Sequence, residues 1–132
     1  MSTEMTLESD ARLTRETVLE VLNSLGLSDV TVKGGDVVGS FPASGTWFFF
    51  REVKGDQAPT TTGMEDAGWR VGGRMVFRFY LPKYEQCKKD LGAFVVRVSE
   101  MSKAWFLVAF QYEVIVAIRD DDGLRWLSQG YV

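Results

Sequence analysis

No histidine occurs anywhere in the 132 residues. That removes the commonest general base, the usual imidazole metal ligand and the physiological pH switch. A single cysteine, Cys87, excludes an internal disulfide and, with histidine missing too, a structural zinc site. There is no G-x-G-x-x-G or Walker-type motif, and Gly72-Gly73 lacks the Lys-Ser/Thr pair that phosphate chemistry needs. No apolar run is long enough to span a bilayer, and the opening MSTEMTLESD lacks the basic and apolar regions of a signal peptide. No serine or lysine is marked out as half of a catalytic dyad. The expectation is therefore no catalytic residue, no cofactor and no metal, in a protein of a reducing compartment: the cytosol of its own cell or of a host.

What is present suits a folded domain. With 45% hydrophobic and 13% aromatic residues the chain can bury a real core, so disorder is not expected. Its length is that of one ordinary domain. A net charge of −3 and a pI near 5.0 argue against nucleic-acid binding. The charge is unevenly spread. Residues 1–50 carry 3 basic and 7 acidic groups, residues 51–103 carry 10 and 7, and residues 104–132 carry 2 and 4. An acidic–basic–acidic chain is suited to pairing head to tail with copies of itself, although a solvated mixed surface is the simpler account of the pattern.

The organising stretch is 75–103. MVFRFYLP reads as a strand. After Pro82, apolar residues fall at Tyr84, Cys87, Leu91, Phe94, Val98 and Met101, one face of a helix. Pro82 suits the first turn, where a backbone N–H has no partner. Gly92 interrupts the helix at a cost of about 1 kcal/mol relative to Ala, which close approach by another backbone would justify. Cys87 lies on the apolar face and reads as core rather than nucleophile.

Residues 1–9 are polar and are expected to be frayed. A first helix ends at Leu25 on the stripe Val18, Val21, Leu22 and Leu25, with Thr14 as candidate N-cap, an earlier start at Ser9 as the alternative, and Gly26-Leu27 as a Schellman ending. Gly34-Gly35 between two β-branched runs reads as a hairpin. TWFFFREV is a strand with both faces apolar at its centre, so one face meets a partner or both are buried. Residues 54–69 form a long polar loop, RVGGRMVFRFYL returns to strand, and Gly72-Gly73 marks a bend. AWFLVAFQYEVIVAIR is one long strand, or two with a kink near Gln111, and Asp122-Gly123 starts a return strand. The predicted fold is a single α+β domain over 1–132: a mainly antiparallel sheet packed on one long helix, in the order α-β-β-β-β-α-β-β. Residues 46–53, 70–81 and 104–128 build the sheet, and Leu91, Phe94 and Val98 are expected among the most buried side chains.

The candidate binding element is the 54–69 loop with its flank. Gly55, Pro59, Gly63 and Gly68 suit a segment projected between two rigid strands that orders on contact. Met64 and Trp69 are its apolar anchors, and Glu65 and Asp66 are a carboxylate pair with no acid–base partner in view. Arg70, Arg74 and Arg78 share one face of the following strand. A basic, aromatic stripe could hold phosphate or stack a base. At net −3, pairing to acids of a neighbouring subunit or to Glu65 and Asp66 is the expected role. Asp120, Asp121 and Asp122 do not match the alternating ligands of a calcium loop and read as a solvated turn.

The succession of parts resembles the tail terminator proteins of long-tailed bacteriophages. The resembling pieces are TRETVLEVLNSL, the segment starting FPASGTWFFF, the polar loop, the strand from Trp69 to FYLP, the long helix and the RDDDGLRW hairpin. The chain departs from the family at its end, where it stops at Val132 and the family pattern continues with closing strand. This resemblance implies a non-enzymatic ring subunit at the end of a tail tube, found in the virion or the host cytoplasm. The same order is similar to the YbjN family and the class I type III secretion chaperones, without the Asn-rich helix of the former or the final amphipathic helix of the latter. That second resemblance implies a small acidic, chaperone-like or inhibitory protein-binding module acting as a dimer in the cytoplasm.

Overall fold

The computed structural model describes residues 2–132. Eight strands and two helices follow one another: β1 (Ser2–Ser9), α1 (Arg15–Ser24), β2 (Val30–Lys33), β3 (Asp36–Phe41), β4 (Thr46–Glu52), β5 (Gly73–Tyr80), α2 (Tyr84–Met101), β6 (Phe106–Phe110), β7 (Val114–Asp120) and β8 (Gly123–Trp126). The predicted single α+β domain is what forms, with the expected succession running from α1 onward and the 104–119 segment taking its two-strand alternative, β6 and β7. The strands make one antiparallel sheet in the order β2-β3-β4-β5-β1-β6-β7-β8. Both helices cover the same face.

The N-terminal segment corrects the reading of frayed residues 1–9. It is the strand at the middle of the sheet, paired to β5 on one side and β6 on the other. Its alternation explains why. Met5 and Leu7 point to the helices and are buried, while Glu4, Thr6 and Glu8 point the other way. The 104–119 segment is two strands, joined by a tight turn in which Gln111 and Tyr112 both have positive φ.

The helix-side core is an aromatic ladder. Phe48 packs on Phe41 (centroids 5.5 Å apart) and on Phe77 (6.3 Å), and Phe77 meets Phe94 of α2 edge-on at 5.4 Å. Leu91, Phe94 and Val98 are fully buried, as the helical spacing predicts. Helix α1 starts and stops as its sequence dictates. The Thr14 hydroxyl accepts from the Thr17 amide, Gly26 adopts φ 79°, and the Leu27 amide donates back to the Leu22 carbonyl at 3.2 Å.

Gly92 has the neighbour its position in the helix implies. A Cβ there would overlap the carbonyl group of Tyr131. The segment after β8 folds back onto α2. The Tyr131 ring stacks on Trp126 at 5.4 Å and lies under the Lys88 ammonium. Burial pushes the Tyr131 hydroxyl from the ordinary value of 10 up to about 12, with the nearby Tyr84 hydroxyl adding to the shift.

Two expectations follow from this core. Leu91→Ala should lower unfolding free energy by about 2–5 kcal/mol in chemical denaturation, the range for truncating a fully buried leucine; a loss below about 0.5 kcal/mol would place Leu91 outside the core. Tyr131 gives a pH signature. Its folded-state pKa lies above its unfolded one, so the unfolded chain ionises first as pH rises. Stability should fall between pH 10 and about 12, and Tyr131→Phe should flatten that part of the curve.

Candidate functional site

The two faces of the sheet differ. On the face away from the helices the strand registers align three rows. One row runs Asp36, Arg51, Arg74, Glu8, Leu107, Ile118; the next Val38, Phe49, Val76, Thr6, Ala109; the third Ser40, Trp47, Arg78, Glu4. The β1–β6 half of this face is covered. Thr6, Glu8, Leu107 and Ala109 are all buried there, beneath the 54–69 loop.

The loop therefore lies back on its own sheet instead of projecting as an arm. Glu8 holds it. The fully buried carboxylate accepts from the Thr60 amide (2.9 Å), the Thr61 amide (3.0 Å) and the Thr61 hydroxyl (2.7 Å). Arg74 Nε completes the set at 3.3 Å and its guanidinium also reaches the Thr60 hydroxyl at 3.0 Å. Four donors around one carboxylate satisfy a charge that could not otherwise stay buried. Farther along, the Thr62 amide donates to the Tyr112 carbonyl at 2.8 Å, tying the loop to the β6–β7 turn. Burial raises the Tyr112 hydroxyl pKa, with Arg74 opposing it.

The residues singled out in the sequence fall into three places. Met64 and Trp69 come together with Trp105, Ile118 and the Asp120–Asp122 turn around a cleft of about 280 Å³. Glu65 and Asp66 are exposed beside Arg70 and Trp69; Glu65 accepts from the Gly63 amide and shapes the loop. Arg70 precedes β5 and does not share the strand face with the other two arginines. Arg74 and Arg78 do share it, but their acids are Glu8 and Glu4 of β1 rather than Glu65 and Asp66. The Asp120–Asp122 turn is organised internally. Arg125 and the Asp122 amide hold the Asp120 carboxyl below the usual carboxylate range, and Asp121 accepts from the Trp105 indole at 3.0 Å.

The β3–β5 half of the face has no cover. Trp47 and Phe49 lie side by side on β4, ring centroids 5.6 Å apart and both half-buried. Arg78 sits over Trp47 at 5.2 Å and Arg51 over Phe49 at 5.8 Å. Each guanidinium is fixed by a carboxylate, Arg78 by Glu4 at 3.0 Å and Arg51 by Asp36 at 2.7 Å. The Arg51 hydrogen bonds hold the Asp36 carboxyl below its usual value. Trp47 and Phe49 were legible as one of the two apolar faces of TWFFFREV, with Arg51 on the same strand, but not as the centre of a site, because Arg78, Glu4 and Asp36 come from other strands.

The other chemistry-bearing groups are taken up by the fold. The Cys87 thiol is buried against the Ser44 and Tyr80 carbonyls at 3.6 Å each. Among the described residues no three Cys, Asp or Glu side chains are grouped to hold a metal, and no helix is long and apolar enough to cross a membrane. Comparison with known protein families, curated proteins and solved structures finds no match to this chain.

The clasp on the loop is testable. In Glu8→Gln the amides of Thr60 and Thr61 should exchange hydrogen markedly faster while those of α2 stay protected, because only the loop loses its charged acceptor. Unchanged exchange at Thr60 and Thr61 would mean that Glu8 is not what holds the loop. Arg74→Ala, which leaves the buried carboxylate without its cation, should cost about 3–5 kcal/mol of stability.

Proposed function

We propose that the protein is a non-enzymatic, self-associating binding subunit that works through the open face of its sheet. The supporting observation is the Trp47–Phe49 pair overlaid by Arg78 and Arg51 on the uncovered half of that face. Tryptophan and arginine are the residues that most often dominate interface energetics. Here the two arginines are already held by ion pairs, which lowers the ordering cost of docking. The chain also offers no histidine and no nucleophile–base pair for catalysis.

A second copy of the chain is the partner that the charge distribution favours. The β3–β5 half of the face presents Arg51 and Arg78. The other half presents the exposed Glu65, Asp66, Asp121 and Asp122 around the covering loop. In a contact between copies, the loop-side carboxylates of one chain would join Asp36 and Glu4 as acceptors for Arg51 and Arg78 of the next. Applied about a two-fold axis, that complementarity gives an isologous dimer, as the secretion-chaperone resemblance implies. Repeated head to tail, it closes a ring, as the tail-terminator resemblance implies.

Native mass spectrometry at micromolar concentration separates these outcomes by mass: two subunits, or a ring, typically of six. Trp47→Ala should weaken the association by about 30-fold, the equivalent of the ~2 kcal/mol that marks an interface hot spot. Arg78→Glu should disrupt it further by placing like charges together. A parent protein that stays monomeric up to about 100 μM, a concentration at which even weak homodimers are populated, would overturn this reading.

A further inference from the structure

Trp69 and the β7–β8 turn meet across the cleft of about 280 Å³ that Met64, Trp105 and Ile118 complete. Among the described residues Trp69 is the one tryptophan of the four with neither an aromatic ring nor a cation against it. Trp47 has Phe49 and Arg78, Trp105 has Arg12, and Trp126 has Tyr131. The Trp69 side chain is half-buried and also lines a second cleft, with Arg70, Glu65 and Asp66; Arg70 does not line the first. Facing Trp69 across the first cleft are two exposed carboxylates, Asp121 and Asp122. The Trp105 indole donates to Asp121 Oδ1 at 3.0 Å, and among the described residues neither carboxylate has an ion pair.

The arginines nearest this cleft are committed elsewhere. Arg125 makes two hydrogen bonds to Asp120, at 2.9 and 3.0 Å. Arg119 donates to the carbonyls of Ala104 and Ser99, at 3.2 and 3.4 Å. Arg12 is near enough to feel the Asp121 charge, but its side-chain hydrogen bonds go to Asp10. Three times this chain lays a guanidinium over an aromatic ring and fixes it with a carboxylate: Arg12 over Trp105 with Asp10, Arg51 over Phe49 with Asp36, and Arg78 over Trp47 with Glu4. The distances to the ring centroids are 5.4, 5.8 and 5.2 Å, all within cation–π reach. The Trp69 cleft presents the ring and the carboxylates of that same arrangement, and both are accessible.

We propose that this cleft is a binding site for an alkylguanidinium group. The planar cation lies on the Trp69 ring and donates to Asp121 and Asp122, and its methylenes lie against Met64 and Ile118. A guanidinium suits the cleft better than an ammonium, because its weakly hydrated face stacks on an indole while its edge N–H groups reach the carboxylates. The chemistry is that of an arginine side chain on a polypeptide or of a free alkylguanidine. Asp121 and Asp122 also belong to the proposed contact between copies, but the guanidinium site does not rest on that contact. Ligand binding is read residue by residue and association by mass, so either can fail without the other.

The test is an NMR titration of the full chain, resolved at backbone amides and indole N–H groups, with four probes: Nα-acetyl-arginine methylamide, its citrulline and lysine counterparts, and ethylguanidine. Saturable shifts are expected at the Trp69 indole N–H and at the amides of Asp121, Asp122 and Gly123. The citrulline compound, which keeps the shape and loses the charge, should bind about 5-fold or more weakly, since both the cation–π contact and the ion pair go with the charge. The lysine compound should also bind more weakly, because its ammonium is compact and strongly hydrated. Binding of the arginine derivative identifies the source as a polypeptide side chain; binding of ethylguanidine alone identifies a free guanidine. The double variant Asp121→Asn/Asp122→Asn should weaken binding by about 5-fold or more, with its unliganded spectrum confirming an intact fold. Trp69→Leu, which keeps both carboxylates, should weaken it by about 3-fold through loss of the ring face. Citrulline or lysine binding equal to that of arginine, unchanged binding in the double aspartate variant or in Trp69→Leu, or no saturable shift with either guanidine would overturn the assignment.

Discussion

Everything in this fold depends on β1 lying between β5 and β6. Without it the sheet is two separate meanders, β2 to β5 and β6 to β8, with no hydrogen bonds between them. β1 joins them by two ladders, and its side chains serve both layers. Met5 and Leu7 complete the helix-side core, while Glu4 and Glu8 neutralise Arg78 and Arg74 on the opposite side. The strand pairs with segments some 70 and 100 residues later. Such non-local pairing makes closure of the sheet a late and slow event compared with forming the β2–β3 and β7–β8 hairpins.

The legible parts of the fold were those with local chemistry. Thr14, Gly26, Gly34-Gly35, Pro82 and Asp122-Gly123 each mark a boundary through a cap or turn that a few neighbouring residues specify. The 3.6-residue repeat of α2 marks its buried face. The parts that were not legible are set at long range. STEMTLES alternates apolar and polar residues as a strand should, but Met5 and Leu7 are too few to outweigh its polar composition. The β6–β7 turn is made by Gln111 and Tyr112 at positive φ, where Asn-Gly would have announced it. Tertiary hydrogen bonds help hold the turn instead: the Gln111 amide donates to the Glu4 carbonyl and the Tyr112 carbonyl accepts from Thr62. The site was half legible for the same reason. Arg74 and Arg78 could be seen to share a face, but their acids lie on a strand whose place in the sheet only the fold reveals.

The 54–69 loop has a double character. Its composition is that of a connector, yet Pro59 and Thr61 are buried and Glu8 is sealed beneath it. A loop that covers half of a sheet face leaves the other half as a step at its edge. The step leaves the half-buried aromatics of β4 on the open side and the exposed carboxylates of the loop, Glu65 and Asp66, on the covered side. Removing the loop would do more than delete a tether, since it would strip Glu8 of three of its four donors and expose Leu107 and Ala109. Loop and sheet are one structural unit.

The sheet edges bear on how copies could meet. Strand pairing at an edge is the easiest route to assembly for a β protein, and short or charged edges work against it. Both edges here are four-residue strands. β2 ends in Lys33 beside the Gly34-Gly35 turn. β8 is followed by a segment that donates once to Val116 and then leaves the sheet for α2, where Tyr131 stacks on Trp126. The overlap of a Gly92 side chain with Tyr131 shows how closely that segment is held. With the helix layer closing one face and both edges short, the broadest surface left for a flat partner is the aromatic and arginine half of the open face. A contact there leaves every ladder of the sheet intact, so association through it would not compete with folding for the same hydrogen bonds.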